Sequence, residues 1–200
     1  MLINIKKEET KERISKIIEA HLKNRAAMIT EDYKIEKEKI DKAFLFECQE
    51  FFKTCKMKQD TKREEVIYFI NFNYLRWAIM EEAIELQLAA YGENYYLGNE
   101  ICCRAWRPFC LNKWFQEDLE KFQKEAKKIL GYTILDYDNA KNNYCNFYYM
   151  ILGGYCKEMC DQILKLEGYQ KIVKDISCRM VFGGYMDKGV TLYPISKIQG

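Results

Sequence analysis

Val66-Ile67-Tyr68-Phe69-Ile70-Asn71-Phe72-Asn73-Tyr74-Leu75 lies about a third of the way along the chain, and its reading decides the fold. Val66, Tyr68, Ile70, Phe72 and Tyr74 fall on one side of a two-residue period; Ile67, Phe69, Asn71, Asn73 and Leu75 fall on the other. Successive side chains of a pleated backbone point to opposite faces, and β-branched and aromatic residues suit that surface, so the stretch predicts a strand. Just downstream, Ile84, Leu86, Leu88 and Ala90 alternate with Glu85, Gln87, Ala89 and Tyr91. Gly92-Glu93-Asn94 then supplies turn chemistry before Tyr95-Tyr96-Leu97, which completes a three-stranded meander. Leu75, Ile79, Ala83, Leu86 and Ala90 also keep helical spacing, so both strand and helix stay open for residues 76–91.

Farther along, Trp106, Phe109, Phe115, Leu119, Phe122, Ala126 and Ile129 give residues 99–130 an apolar helical side. Pro108 marks a break or a fresh start inside that segment, and Gly131 a stop. Asp136 or Asp138 can cap a second helix reaching about Leu166 and ended by Gly168, so the two form a helical hairpin. Gly153-Gly154 inside it reads as a close-packing point or an interruption. The tail returns to β character over Ile172–Phe182, turns through Gly183-Gly184 and Asp187-Lys188-Gly189, and closes with Val190–Tyr193 before Pro194.

Upstream, Ile14, Ile18, Leu22, Ala26, Ile29, Tyr33, Ile40, Phe44, Cys48 and Phe51 step mostly by three or four. They form an amphipathic stripe, carried by one helix or by a pair split where Thr30-Glu31-Asp32 can cap. The alternating Lys and Glu of residues 34–42 read as a solvated face. Together these elements predict an α+β chain. An amphipathic N-terminal helix or helix pair precedes a small antiparallel sheet, made of the central meander plus the C-terminal hairpin, packed against a C-terminal helical hairpin. At 200 residues, one globular domain is expected over 1–200, with 1–60 as a helical N-terminal arm.

Composition narrows the function classes. Thirty-two basic residues nearly cancel 30 acidic ones, so the global field steers neither nucleic acid nor an anionic membrane toward the chain. Met1–Lys7 lacks the apolar stretch of a signal peptide, and the uncharged run from Asn142 to Cys156 is too short and too polar to span a bilayer. A cytoplasmic location is expected. Nine cysteines, an odd number in a chain of this size, read as reduced, core-packing thiols.

No assembled chemistry emerges from the motifs. Cys156 and Cys160, four apart, lack the paired knuckles of a structural zinc site, so neither metal nor cofactor is expected. His21, the single histidine, flanks the N-terminal stripe or is solvated, and no catalytic residue is assigned. Asp136 to Phe147 fails as a calcium loop, with Lys141 where Gly is required and Phe147 where the bidentate Glu belongs. Arg104-Ala105-Trp106-Arg107 and Lys113-Trp114 interleave cations with aromatics, as a stacking platform or a protein interface would. Arg104, Trp106, Arg107 and Trp114 are therefore candidate interface residues, and Arg179, Tyr185 and Asp187 candidate polar groups of a pocket between sheet and helices.

Fifteen Tyr, 11 Phe and 3 Trp exceed what a core of this size has to absorb, and Tyr, Trp and Arg dominate protein interfaces. The leading expectation is thus a non-enzymatic protein-interaction module, such as an immunity, inhibitor, antitoxin-like or adaptor protein. The partner is a protein, with self-association through the N-terminal helix as a further route. A small-molecule or catalytic pocket is the alternative, and nucleic-acid binding a third.

Overall fold

The computed structural model describes residues 2–62 and 66–194. Its elements run α1 (Leu2–Leu22), α2 (Arg25–Lys62), β1 (Ile67–Tyr74), β2 (Leu86–Tyr91), β3 (Glu100–Trp106), α3 (Phe109–Ala126), α4 (Ile134–Ile163), α5 (Glu167–Lys171), β4 (Lys174–Gly184) and β5 (Val190–Pro194). The chain is α+β, as the patterning implied. Two compact units divide it: the first draws on residues 1–36, 77–84 and 109–151, the second on 37–76, 85–108 and 152–200.

In the first unit, α3 and α4 run antiparallel, since Phe115 meets Tyr148 while Phe122, farther along α3, meets Tyr144 and Tyr137, earlier in α4. Pro108 sits immediately before α3, where its missing N–H costs the helix nothing. Thr133 and Asp136 close a capping box at the start of α4, the Asp136 carboxylate accepting from the Thr133 backbone N–H at 2.9 Å. The N-terminal segment is two helices, broken at Lys23-Asn24 rather than at Thr30. Thr30 instead lies inside α2, its hydroxyl satisfied by the Ala26 carbonyl at 2.8 Å. At the centre of this unit the Arg25 guanidinium donates to the buried Asp118 carboxylate through Nε at 3.0 and 3.1 Å, and the Tyr148 hydroxyl donates to the same group at 2.6 Å.

The second unit holds a five-stranded sheet in the order β3-β2-β1-β4-β5. The meander and the C-terminal hairpin are both present, but the sheet is mixed, because β4 joins β1 in parallel, Phe69 opposite Arg179 and Phe72 opposite Phe182. Two further expectations are corrected. Residues 100–106, read as the start of a helix, form β3 against β2; Tyr95–Leu97, read as a strand, form a 3₁₀ turn. Tyr95 adopts φ of 50°, a left-handed value that a strand cannot use. Gly183-Gly184 end β4 rather than forming the turn, which falls on the residues after them, and Gly168 lies within α5 instead of terminating α4.

Strand alternation gives this sheet two different faces. Phe72 of β1 and Trp106 of β3 lie against Phe44 of α2, with ring centres 6.2 and 4.8 Å away, and Phe182 of β4 lies against Gly153 of α4. Cys55 of α2 and Cys102 of β3 are joined as a disulfide, with Cα atoms 5.7 Å apart, which corrects the expectation of reduced thiols at this pair. Forty-seven residues separate the two, and only the packing of α2 on β3 brings them together. The other seven cysteines are free thiols. Among the described residues no helix is long and apolar enough to cross a membrane.

Candidate functional site

The opposite face of the sheet carries Phe69, Asn71 and Asn73 of β1, with Tyr91, Ala89 and Gln87 of β2 paired beside them and Arg179, Val181 and Gly183 of β4 on the other flank. Two asparagines on a central strand contradict the alternation rule of an apolar interior, yet both are only 1% exposed. The turn through Tyr95 and Tyr96 folds back over them. Tyr95 packs its ring 4.3 Å from Phe69, Tyr96 lies 5.0 Å from Tyr91, and the two tyrosines are 4.0 Å apart. The Asn71 amide donates to the Tyr95 hydroxyl at 2.7 Å and the Tyr96 hydroxyl at 2.9 Å, and Tyr96 donates on to Asn73 Oδ1 at 3.1 Å.

This network is incomplete. Asn71 Oδ1 and the Tyr91 hydroxyl are buried without a partner in full hydrogen-bond geometry among the described residues, the Asn73 amide being the group near the Tyr91 hydroxyl. Burial, reinforced by the Glu100 charge, raises the Tyr91 pKa, and burial together with Tyr95 raises that of Tyr96. Both hydroxyls therefore stay protonated and able to donate at any physiological pH.

Alongside lies an open groove of about 540 Å³, lined by Phe69, Tyr95, Arg179, Asp187, Lys188 and Thr191 among others. Tyr95 forms part of one wall, and the β4–β5 turn forms another. Met186, in that turn, has φ of 58°, so both walls hold a non-glycine residue in the left-handed region, each costing about 1–3 kcal/mol. The Arg179 guanidinium lies 5.8 Å from the centre of the Phe69 ring. Asp187 is engaged from outside by Arg76 at 2.8 Å.

Of the residues singled out from sequence, Arg179 and Asp187 share this groove, and Tyr185 stands 6.1 Å from Tyr96. The groove lies on the sheet face turned away from Phe44 and Gly153. The others lie elsewhere. Arg104 pairs with Glu47, Arg107 with Glu85, and Trp106 is buried against Phe44. Trp114 is buried in the first unit with the Arg25 guanidinium 4.2 Å above its ring. The cation and aromatic residues of 104–114 thus form no continuous stacking platform. His21 is a buried flank of α1, its Nδ1 2.8 Å from the Tyr144 hydroxyl and its Nε2 3.3 Å from Glu125.

Phe69, Asn71, Tyr91, Tyr95 and Lys188 were not singled out from sequence as site residues. One signal for them was available: Asn71 and Asn73 fall on a single face of the strongest strand, a polar stripe that calls for a reason. Among the described residues no three His, Cys, Asp or Glu side chains cluster as metal ligands do. The chain matches no protein-family model, no curated protein and no solved structure, so its site is read from its own geometry.

Proposed function

We propose that the chain is a non-enzymatic protein-interaction module, working as immunity, inhibitor, antitoxin-like or adaptor proteins do, and that it docks a protein partner on the open face of its sheet. The observation that carries this reading is the groove, where aromatic walls from Phe69 and Tyr95 flank the Arg179 guanidinium, the residue types that anchor protein interfaces. Exposed apolar side chains stand on the neighbouring turns: Leu97 at 96% exposure and Met186 at 63%. An open groove of this kind leaves a small ligand largely in water, whereas enclosed pockets cover most of one. The reading keeps a cytoplasmic location, with seven free thiols beside the single Cys55–Cys102 disulfide.

The test is affinity purification of the tagged protein from its host beside two variants. A stoichiometric protein partner is expected with the wild type and with Ile35→Glu on α2, and its loss is expected with the double variant Leu97→Glu/Met186→Glu. Equal recovery of that partner by the double variant, or no stoichiometric protein at all, refutes the reading.

A further inference from the structure

The groove brings together two cations that no carboxylate of the described residues neutralises, a state they share with Lys42, Lys58, Lys157 and Lys165 elsewhere in the unit. Arg76, Arg104 and Arg107 each meet a carboxylate, of Asp187, Glu47 and Glu85 respectively, and Lys37, Lys53 and Lys56 pair along α2 with Asp41, Glu50 and Asp60. Arg179 and Lys188, both exposed, have no carboxylate partner among the described residues. The groove's own acid, Asp187, is already engaged by Arg76. A guanidinium over a phenyl ring and an ammonium in the same lining offer donors only, and the Thr191 hydroxyl beside them can donate as well. Complementary charge at such a site sets which partner is accepted and how fast it arrives.

Resting on the protein-docking reading above, we infer that what enters the groove is an acidic, extended segment of the partner chain. Its carboxylates meet Arg179 and Lys188 while its aromatic or aliphatic side chains lie against Phe69 and Tyr95. A carboxylate matches the planar fork of a guanidinium in two parallel hydrogen bonds, which makes Arg179 the stronger anchor of the two. In an extended segment successive residues point to opposite sides, so alternating acids and aromatics lying along the groove meet the cations of one wall and the rings of the other.

Fluorescence anisotropy with the intact protein tests this, using fluorescein-labelled (Glu-Tyr)5, its uncharged counterpart (Gln-Tyr)5, and a ten-residue oligothymidine as probes. We expect (Glu-Tyr)5 to bind at least tenfold more tightly than (Gln-Tyr)5. R179E should weaken it at least tenfold and K188E several-fold, whereas K11E on α1 should leave it unchanged. All three sites are exposed, and circular dichroism confirms that the variants are folded. Absence of (Glu-Tyr)5 binding, equal binding of the two peptides, or full binding by R179E overturns the inference. Oligothymidine binding as tight as the peptide's does so too, assigning the cations to nucleic acid. If the purification experiment yields a partner that Leu97→Glu/Met186→Glu releases while R179E retains it, docking stands and the acidic-segment inference alone fails.

Discussion

Gly153 and Gly154 are neighbours in α4, and the same substitution at the two should act with opposite sign. A Cβ built on Gly153 comes 2.8 Å from Phe182 Cε1 and 3.0 Å from Cδ1, whereas carbon atoms prefer about 3.5–4.0 Å. Phe182 has little room to withdraw, since its ring centre is 5.9 Å from that of Tyr74, and Tyr74 is itself pressed on Gly184. Overpacking of this order costs about 1–3 kcal/mol. A Cβ on Gly154 meets nothing within 4 Å. Both positions are helical, so each alanine gains about 1 kcal/mol of helix propensity and lost unfolded-state freedom. Gly154→Ala should therefore stabilise by up to about 1 kcal/mol, and Gly153→Ala should destabilise by about 1 kcal/mol. The propensity gain cancels between them, so their difference isolates the contact at about 1–3 kcal/mol. Urea unfolding followed by circular dichroism measures both, and Phe182→Leu in the Gly153→Ala background should recover part of the loss. Equal effects from the two alanines would refute the close approach of α4 to β4.

Three further outcomes follow from buried polar groups. Arg25→Met leaves the fully buried Asp118 carboxylate uncompensated and should cost about 3–5 kcal/mol, with Asp118→Leu added to it recovering part of the loss. Trp114, beneath the guanidinium, reports the unfolding by fluorescence, and a single-variant cost under about 1 kcal/mol would contradict the pairing. Tyr91→Phe removes a buried hydroxyl that lacks a partner in full hydrogen-bond geometry among the described residues, so it should stabilise by about 1 kcal/mol, whereas a clear loss of stability would mean that the hydroxyl is satisfied. Burial pushes the thiols of Cys145 and Cys178 up to about 12 and that of Cys160 up to about 11, from the ordinary 9.0 of the unfolded chain. Unfolding releases these protons, so the stability they contribute is whole below pH 9.0 and lost as pH climbs toward 12; urea midpoints that stay level between pH 8 and pH 11 would argue against thiol burial.

How legible each element was depended on the range of the interaction that determines it. β1 was plain in Val66–Leu75, because strand-forming residues and a two-residue period coincide there. Pro108 marked the start of α3 through local chemistry alone. β3 was missed because Ile101, Cys102, Cys103, Arg104, Ala105 and Trp106 do not alternate in polarity. Its inner side is set by contacts with α2 at Cys55 and Glu47, some 50 positions away. The parallel pairing of β1 with β4 has no local signature at all, as more than 100 residues lie between Phe69 and Arg179. Arg179 and Asp187 were named as pocket groups by residue type, but the face on which they sit follows from that pairing.

The two polar clusters of the molecule separate by how well they are satisfied. Asp118 receives Arg25 in a bidentate pair and Tyr148 besides, and the charge and hydrogen bonds of Asp118 outweigh the burial that opposes ionisation of Arg25, raising its pKa. A network with its donors and acceptors matched holds one packing arrangement and asks for nothing further. On the open face of the sheet, by contrast, two buried polar atoms lack partners in full hydrogen-bond geometry among the described residues, and Tyr95 and Met186 hold strained backbone at the groove. Two exposed cations lie beside them without counter-charge among the described residues. The same two departures occur singly in the first unit, at His21 Nε2 and at Glu82 with φ of 53°, but at the groove they stand together. Under the proposed docking, a partner would return in contacts what the free fold gives up there.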